Sequence, residues 1–436
     1  MKPINIGLLG VGTVGGGTAT VLKRNAEEIS RRAGREIRLF MAADRDLERA
    51  RSIVGPEVSL VDDANTVVTH PDVDVVVELI GGDTIAKQLV LKAIENGKHV
   101  VTANKKLLAI HGNEIFARAQ EKGVMVAFEA AVAGGIPIIK ALREGLAANH
   151  IQWIAGIING TSNFILTEMR EKGSSFADVL AEAQRLGYAE ADPTFDIEGH
   201  DAGHKLTLMA SIAFGIPTQF DKCYLEGISK LDAKDIRYAE ELGYRVKLLG
   251  LTRRTAAGIE LRVHPTLIPE SQLIANVNGV MNAVLAKGDA IGQTLYYGAG
   301  AGALPTASAV VADIIDVARL LTAETEHRVP PLAFQPDQLK DLPILPIDEV
   351  VSSYYLRIGA ADRAGVLANI TRLLADNGIS IEALIQKGSV SEGTAEVVIL
   401  THRVQEKAIN TAIAAIETLD SVTGKVVRLR MEDLND

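Results

Sequence analysis

The sequence predicts an α/β protein in three parts: a doubly wound parallel sheet, an α+β middle domain, and a small C-terminal βαββαβ module. Three observations carry this. Apolar strand-like runs alternate with helical patterns over the first third, a glycine-rich turn joins the first strand to the first helix, and the proline-bearing stretch ETEHRVPPLAFQPDQLKDLPILP precedes a last strand and helix pattern. The expected divisions are 1–130 for the first domain, completed by 303–325; 131–302 for the middle one; 326–349 for a linker; and 350–436 for the last.

A chain of 436 residues can bury sizeable cores without staples, and its single cysteine, Cys223, excludes an intramolecular disulfide framework. The longest apolar runs are broken by glycine or charge before membrane-spanning length, and MKPINIGLLG meets glycine too soon for a signal peptide. A cytoplasmic protein with no membrane segment is expected. The net charge of -10 and the low aromatic content, 4%, argue against a nucleic-acid surface, which needs clustered Lys and Arg. Small molecules are therefore the expected partners.

Ile4 to Leu9 is nearly all apolar, as in a parallel strand covered on both faces, and runs into Gly10, Gly12 and Gly15 with Thr13 and Val14 between them. A helical pattern continues to Leu22. Glycines at this spacing permit a tight turn, close approach of a pyrophosphate, and close packing of helix on strand. An ordinary glycine-rich turn has the same look, but the position between strand and helix favours a Rossmann-like dinucleotide site.

Further strands are expected at Arg38 to Ala43, Val73 to Ile80, His99 to Thr102 and Val124 to Phe128, with helices at Ile85 to Asn96 and Ile115 to Lys122. Ligands in such sheets sit beyond the carboxyl ends of the strands. Those ends carry Asp44 and Arg45, Gly81 and Gly82, Thr102 to Lys105, and Glu129, so one crevice should collect them. Asp44 suits the ribose hydroxyls of NAD, and Arg45 the 2'-phosphate of NADP; both remain open, as does a solvated turn.

In the middle region, AAVAGG after Glu129 suggests a sharp loop with exposed carbonyls ahead of a helix opened by Pro137; one carboxylate with carbonyl oxygens can hold a hard cation. Asn159 to Asn163 reads first as helix capping. A helix is expected from Phe176 to Leu186, ended by Gly187. There follows GYAEADPTFDIEGHDAGHK, with Glu190, Asp192, Asp196, Glu198 and Asp201 in an irregular loop that closes on Lys205. Asp201 and Lys205 are four apart at the start of a helix and share a face, either as a surface ion pair or as a functional one. Hydride addition to a carbonyl puts negative charge on oxygen, which a lysine can stabilise and protonate. His204 is expected at the surface.

Downstream, Ile259 to Leu267 and Ala283 to Tyr297 look like strands, the latter broken at Gly288 and Asp289. The glycine run from Gly298 to Gly302 then leads into a helix from Thr306 to Leu321, and reads equally as a second wall of the crevice or as a plain loop. In the last module, strands at Tyr354 to Ile358, Ile379 to Ile385, Thr394 to Leu400 and Val426 to Leu429 flank helices after ADRAGVLANI and from Gln405 to Leu419.

Together these stretches resemble homoserine dehydrogenase with an amino-acid-binding ACT domain appended. The resemblance covers nearly the whole chain and rests on the GxGxxG spacing, TANKK at Thr102 to Lys106, GYAEADPTFDIEGHDAGHK, and ADRAGVLANI. It implies reversible reduction of aspartate 4-semialdehyde to homoserine by NADPH or NADH, in threonine and methionine biosynthesis. Lys205 would be the proton donor, assisted by Asp201 and by Lys105 in the cofactor crevice. Glu190 and Asp201 would bind substrate, with Asp196 either joining them or capping the loop, as Asp192 and Glu198 also could. Gly10, Gly12, Thr13, Val14, Gly15, Asp44, Arg45, Thr102, Lys105, Gly187 and Gly302 would surround the dinucleotide. A sodium-like monovalent cation would be held by Glu129 with the carbonyls of Val132, Gly134 and Ile136. The last module would pair chains into a homodimer or homotetramer, or bind threonine as a feedback effector. Two rivals are an amino-acid sensor without catalysis and a dehydrogenase for another aldehyde; a thioester route is disfavoured because Cys223 has no nearby His or nucleophile turn.

Overall fold

A computed structural model describes residues 2–387 and 393–435. The first sheet has six parallel strands: β1 (Ile4–Leu9), β2 (Ile37–Ala43), β3 (Ser59–Val61), β4 (Val75–Glu78), β5 (His99–Thr102) and β6 (Val126–Ala127). Every residue of β1, β4 and β5 is buried, the reason these segments read as unbroken apolar runs and not as alternating ones. Their order is β3-β2-β1-β4-β5-β6, so the chain moves outward on one side of β1 and then returns to build the other. That reversal opens a crevice at the carboxyl ends of β1 and β4. The helix Ala303–Leu320, far along the chain, comes back to this domain; Val310, Ile314 and Val317 share one core with Ile6, Leu8 and Val75.

The second sheet runs through the middle domain and on into the C-terminal module. Its middle-domain strands are β7 (Ile151–Ile157), β8 (Tyr224–Leu225), β9 (Tyr244–Arg254), β10 (Ile259–Pro269), β11 (Met281–Gly288) and β12 (Gly292–Ala299). The module adds β13 (Val351–Ala361), β14 (Ile381–Lys387), β15 (Thr394–Thr401), β16 (Val404–Gln405) and β17 (Val422–Met431), with helices Val366–Asp376 and Glu406–Ile416 packed on its own core. The main path is β12-β11-β7-β9-β10-β17-β13-β15-β14. Thr266 pairs with Arg430 and Leu267 with Met431 in parallel, so β10 and β17 fuse the two units into one sheet.

Buried charge lines this seam. Arg262 on β10 donates to Glu260 at 2.9 Å and to Glu432 at 2.6 Å, and Arg357 on β13 donates to Asp235 at 2.6 Å. Arg262 is only 1% exposed, as is Arg430, which pairs with Glu226 and Glu406, so both charges depend on their partners and not on water.

Several expected elements shift. The helix expected from Ile115 starts at Lys105, because the Asn104 side chain accepts from Leu107 N at 3.1 Å and caps it. The charged stretch after the first helix forms a second one, Ala26–Ala33. The helix after Pro137 is only Ile138–Lys140 and runs into a π-helical turn, Ala141–Gly145. Strands β7 and β9 had no expectation attached; β9 carries a buried Lys247 and Thr252 that disguise it in sequence. Among the described residues no helix is long and apolar enough to cross a membrane.

The seam generates a stability prediction. Arg262→Met leaves Glu260 and Glu432 buried with Arg253 as their one remaining cation among the described residues, and should cost roughly 3–5 kcal/mol in urea unfolding. A loss below about 1 kcal/mol, the worth of a surface pair, would contradict the reading of these charges as mutually dependent.

Candidate active site

The crevice begins at the glycine turn. A Cβ on Gly15 would lie 2.0 Å from the Gly10 carbonyl, and one on Gly10 would lie 2.9 Å from that of Leu79, so both positions are closed by backbone. Around Gly12 no atom lies within 4 Å of such a Cβ. Gly12 is also the N-cap of helix Thr13–Arg24 and provides no side-chain cap, so the first amides there face open space. Thr13 and Val14 open that helix, and Val14 lines the adjoining cleft. Asp44 accepts from Val11 N at 2.7 Å and from Asp46 N at 2.9 Å, fastening β2 to the turn. Burial raises its pKa, but those amides and Arg49 outweigh it and hold the carboxyl below its ordinary range. Arg45 is exposed beside it.

The cleft itself has a volume of about 270 Å³ and lies between residues 78–82, residues 103–106 and Phe195. Its walls are joined by Glu78, which sequence reasoning missed. Fully buried at the end of β4, Glu78 accepts from Thr102 Oγ1 at 2.7 Å and from the amides of Ile80 and Gly81 at 2.9 and 3.0 Å. Thr102 Oγ1 in turn accepts from Asn104 N, and Asn104 Nδ2 donates to the Gly82 carbonyl at 2.6 Å. Thr102 therefore braces the loop from behind. An acid ending the apolar run VVVE was the available signal.

Lys105, the first residue of its helix, points from this wall to the middle domain, where its Nζ lies 3.2 Å from Asp201 Oδ1. Lys205 Nζ donates to Asp201 Oδ2 at 2.6 Å and to the Ile158 carbonyl at 2.7 Å. Asn159 both caps helix Gly160–Lys172, accepting from Ser162 N, and donates to Asp201 Oδ2 at 2.9 Å and Asp196 Oδ1 at 2.8 Å. Asp201 and Lys205 are thus buried, and the surface-pair alternative is excluded. Burial pushes the Asp201 pKa up, but the ammonium groups of Lys205 and Lys105 prevail and hold it well below the carboxylate range. Burial lowers the Lys205 pKa, opposed by Asp201. Burial raises that of Asp196. An ammonium has three N–H donors, and two of those on Lys205 have protein acceptors; the third has none among the described residues.

The acid-rich loop divides in function. Asp196 joins the Asn159 cluster, Asp192 accepts from Thr194 N at 3.1 Å as a turn cap, and Glu198 packs against Gly227. Glu190 is exposed, and the structure does not bring its side chain into the cluster. Gly187 sits at φ +77 just beyond helix Phe176–Arg185, with open space around it. The expectation of a surface His204 is wrong. The residue is 2% exposed, both ring nitrogens lack hydrogen-bond partners among the described residues, and the ring lies between Phe220 at 4.0 Å and Phe195 at 5.4 Å. Burial holds its pKa down to about 4, so the ring is neutral.

Glu129 is buried, its backbone N donating to Asp313 and its carboxylate accepting from Ile139 N at 2.9 Å and Lys140 N at 2.8 Å. Ala133 and Gly134 both take positive φ, 54 and 46, turning the loop that contains Val132, Gly134 and Ile136. The glycine run packs against this loop: the Ala299 carbonyl accepts from Gly135 N, and a Cβ on Gly134 would lie 2.5 Å from the Gly300 carbonyl. Gly302, at φ +125, is the N-cap of helix Ala303–Leu320. Among the described residues no group of three or more His, Cys, Asp or Glu side chains is arranged around a metal.

Comparison with known proteins agrees with this geometry. Residues 10–129 match the model for the homoserine dehydrogenase NAD binding domain, residues 137–315 that for homoserine dehydrogenase, and residues 354–421 that for the ACT domain. The chain is 69% identical to a homoserine dehydrogenase of Neisseria gonorrhoeae over all of both chains. A crystal structure of a homoserine dehydrogenase from Thiobacillus denitrificans is 68% identical, covers 100% of this chain and 99% of its own, and superposes with a TM-score of 0.96. A hyperthermophilic archaeal homoserine dehydrogenase in complex with NADPH is 27% identical, covering 74% of this chain and all of its own, with a TM-score of 0.63. A dinucleotide crevice joined to a buried lysine and carboxylate, matched along the whole length, places this chain in the homoserine dehydrogenase family.

Proposed function

We propose that Lys205 protonates the carbonyl oxygen in the family's reaction, the NAD(P)H-dependent reduction of aspartate 4-semialdehyde to homoserine. The observation that carries this is a buried ammonium beside the dinucleotide crevice whose third N–H has no acceptor among the described residues. Bound NAD(P)H supplies the hydride. As charge grows on the substrate oxygen, Lys205 stabilises it and then gives up a proton, while Asp201 and the Ile158 carbonyl keep the amine aimed. Lys105 shares Asp201 and lines the cleft, so it adds positive potential on the crevice side. Asp196 and Asp201 offer acceptors for the substrate ammonium, and Glu190 stands exposed in the loop that would complete that pocket.

The glycine turn from Gly10 to Gly15, with Thr13, Val14 and the open face of Gly12, is the site we assign to the pyrophosphate. Asp44 would meet a ribose hydroxyl and Arg45 a 2'-phosphate, which leaves both dinucleotides accepted. Gly187 and Gly302 are assigned to the far wall. We assign a sodium-like cation to Glu129 and the carbonyls of Val132, Gly134 and Ile136. The donor set suits a hard monovalent ion: one buried carboxylate with carbonyls, of which those of Val132 and Gly134 accept no hydrogen bond among the described residues. The ACT domain is assigned to threonine. A cytoplasmic homodimer or homotetramer fits the single cysteine and the exposed Ile291 and Tyr297 beside the sheet edge at β12; a monomer by light scattering would refute the assembly.

Lys205→Ala should lower turnover by about 10³-fold or more with either reduced dinucleotide while the protein remains folded by circular dichroism. Near-native turnover would reject the assignment. The two directions should also respond oppositely to pH. Reduction needs the ammonium, so its rate falls as pH rises through the lowered pKa of Lys205; oxidation needs the free amine, so its rate rises over the same interval. Parallel profiles would contradict this.

Replacing sodium chloride by choline chloride at constant ionic strength should reduce activity and melting temperature together, and Glu129→Gln should erase both differences. Indifference to the salt rules out the cation. Millimolar threonine should change activity or melting temperature; if it changes neither, the effector assignment is wrong.

A further inference from the structure

The C-terminal module touches the reaction centre through one thin layer. Arg430, on β17 and 1% exposed, donates to Glu226 Oε2 at 2.7 Å, to the Tyr224 hydroxyl at 3.1 Å, and to both oxygens of Glu406. Its guanidinium also lies 4.9 Å from the Tyr224 ring centre, and the Tyr224 hydroxyl donates to Glu226 Oε2 at 2.7 Å. Tyr224 and Glu226 belong to a strap, residues 220–228, that crosses between the module and the catalytic helix His200–Phe214.

The other face of the strap presses on the residues that carry the chemistry. Gly203 lies between Asp201 and Lys205 on that helix, and a Cβ there would come within 2.7 Å of Leu225 Cδ2 and 3.0 Å of Phe220 Cε2. A Cβ on Gly227 would come within 2.5 Å of the Ile197 carbonyl, one residue after Asp196. Ile228 N donates to that same carbonyl at 2.8 Å. Phe220 packs on His204 with the rings tilted by 35°, and His204 packs on Phe195 at the cleft with a tilt of 32°. With close contacts at both glycines, a displacement of the strap is passed on to the helix and to the Ile197 turn.

From this packing we infer that Arg430 and Glu226 are positioning residues: the C-terminal module, through the strap, fixes where Asp196, Asp201 and Lys205 stand relative to the amino-acid substrate. The inference rests on the assignment of Lys205 as proton donor. It concerns the substrate half of the site: among the described residues no hydrogen bond joins the strap to the glycine turn or to Glu78, and Phe195 is the one residue of these ring contacts that lines the cleft with them.

The test is Glu226→Gln in the full chain, which keeps the shape of the side chain and leaves the Arg430 pair with Glu406 in place. Expected is a fall of about tenfold in kcat/KM for homoserine, within the range that small misplacements produce, with dinucleotide affinity by fluorescence titration unchanged within about twofold. Gly227→Ala, which forces the strap away from Ile197, should give the same split and serves if the first variant does not fold. Native kcat/KM for homoserine in the folded variant overturns the inference, and so does an equal loss of dinucleotide affinity, the signature of general loosening. Lys205→Ala is the reference: if it remains active, the donor assignment has failed, whereas an inactive Lys205→Ala beside a native-like Glu226→Gln sinks the strap alone.

Discussion

The ion pair of Lys205 with Asp201 is the constraint around which the active site is built. Taking an ammonium and a carboxylate out of water costs several kcal/mol for each ion, and attraction between them compensates only with good geometry and further hydrogen bonds. The molecule supplies these on both sides. Asp201 accepts from Asn159 and faces Lys105 as well, and Lys205 donates to the Ile158 carbonyl. Asn159, Ile158 and Asp196 come from the middle domain, whereas Lys105 comes from the dinucleotide domain, so neutralising the pair also fixes how the two domains face each other. The same bonds that satisfy the buried charges aim the one donor left over.

The two sheets serve this pair differently. In the first, the reversal of strand order next to β1 opens a crevice, and Glu78 stiffens its lip by accepting from Thr102 and two loop amides. In the second, β7 delivers Ile158 and Asn159 at its end, and β10 backs the strap that bears on the catalytic helix. Continuity from β10 to β17 then makes the ACT domain part of the same sheet. Its arginines, the half-buried Arg357 and Arg428 and the buried Arg430, each find acids in the middle domain. A domain attached in this way has a physical means of reaching the site, because its strand cannot shift without moving Arg430, whose charge has no solvent to replace its partners.

How much of this could be read in advance depended on whether the determinants were local. The glycine turn, the run ending at Lys205 and the alternation of the last module are local patterns, and residues 4–9, 99–102 and 200–214 fold as their periodicity implies. Asn159 was legible as a cap, but its second use, bridging Asp196 and Asp201, depends on a strand end meeting a loop 37 residues later. Glu78 is one acid in an apolar run until the neighbouring strand brings Thr102 to it. His204 looked like a surface residue because polarity is visible in a sequence while the phenylalanines that enclose it, Phe195 and Phe220, are separated from it in the chain. The proline-bearing stretch before the last module reads as a linker, and the pairing of Thr266 with Arg430 reveals the common sheet.

The most direct test of the central claim is a crystal structure of the full chain with homoserine and an oxidised dinucleotide bound. The hydroxyl oxygen of homoserine should lie about 2.6–3.2 Å from Lys205 Nζ, taking the donor position that Asp201 and Ile158 leave open. A hydroxyl held by another side chain, with the amine of Lys205 turned away from it, would contradict the account.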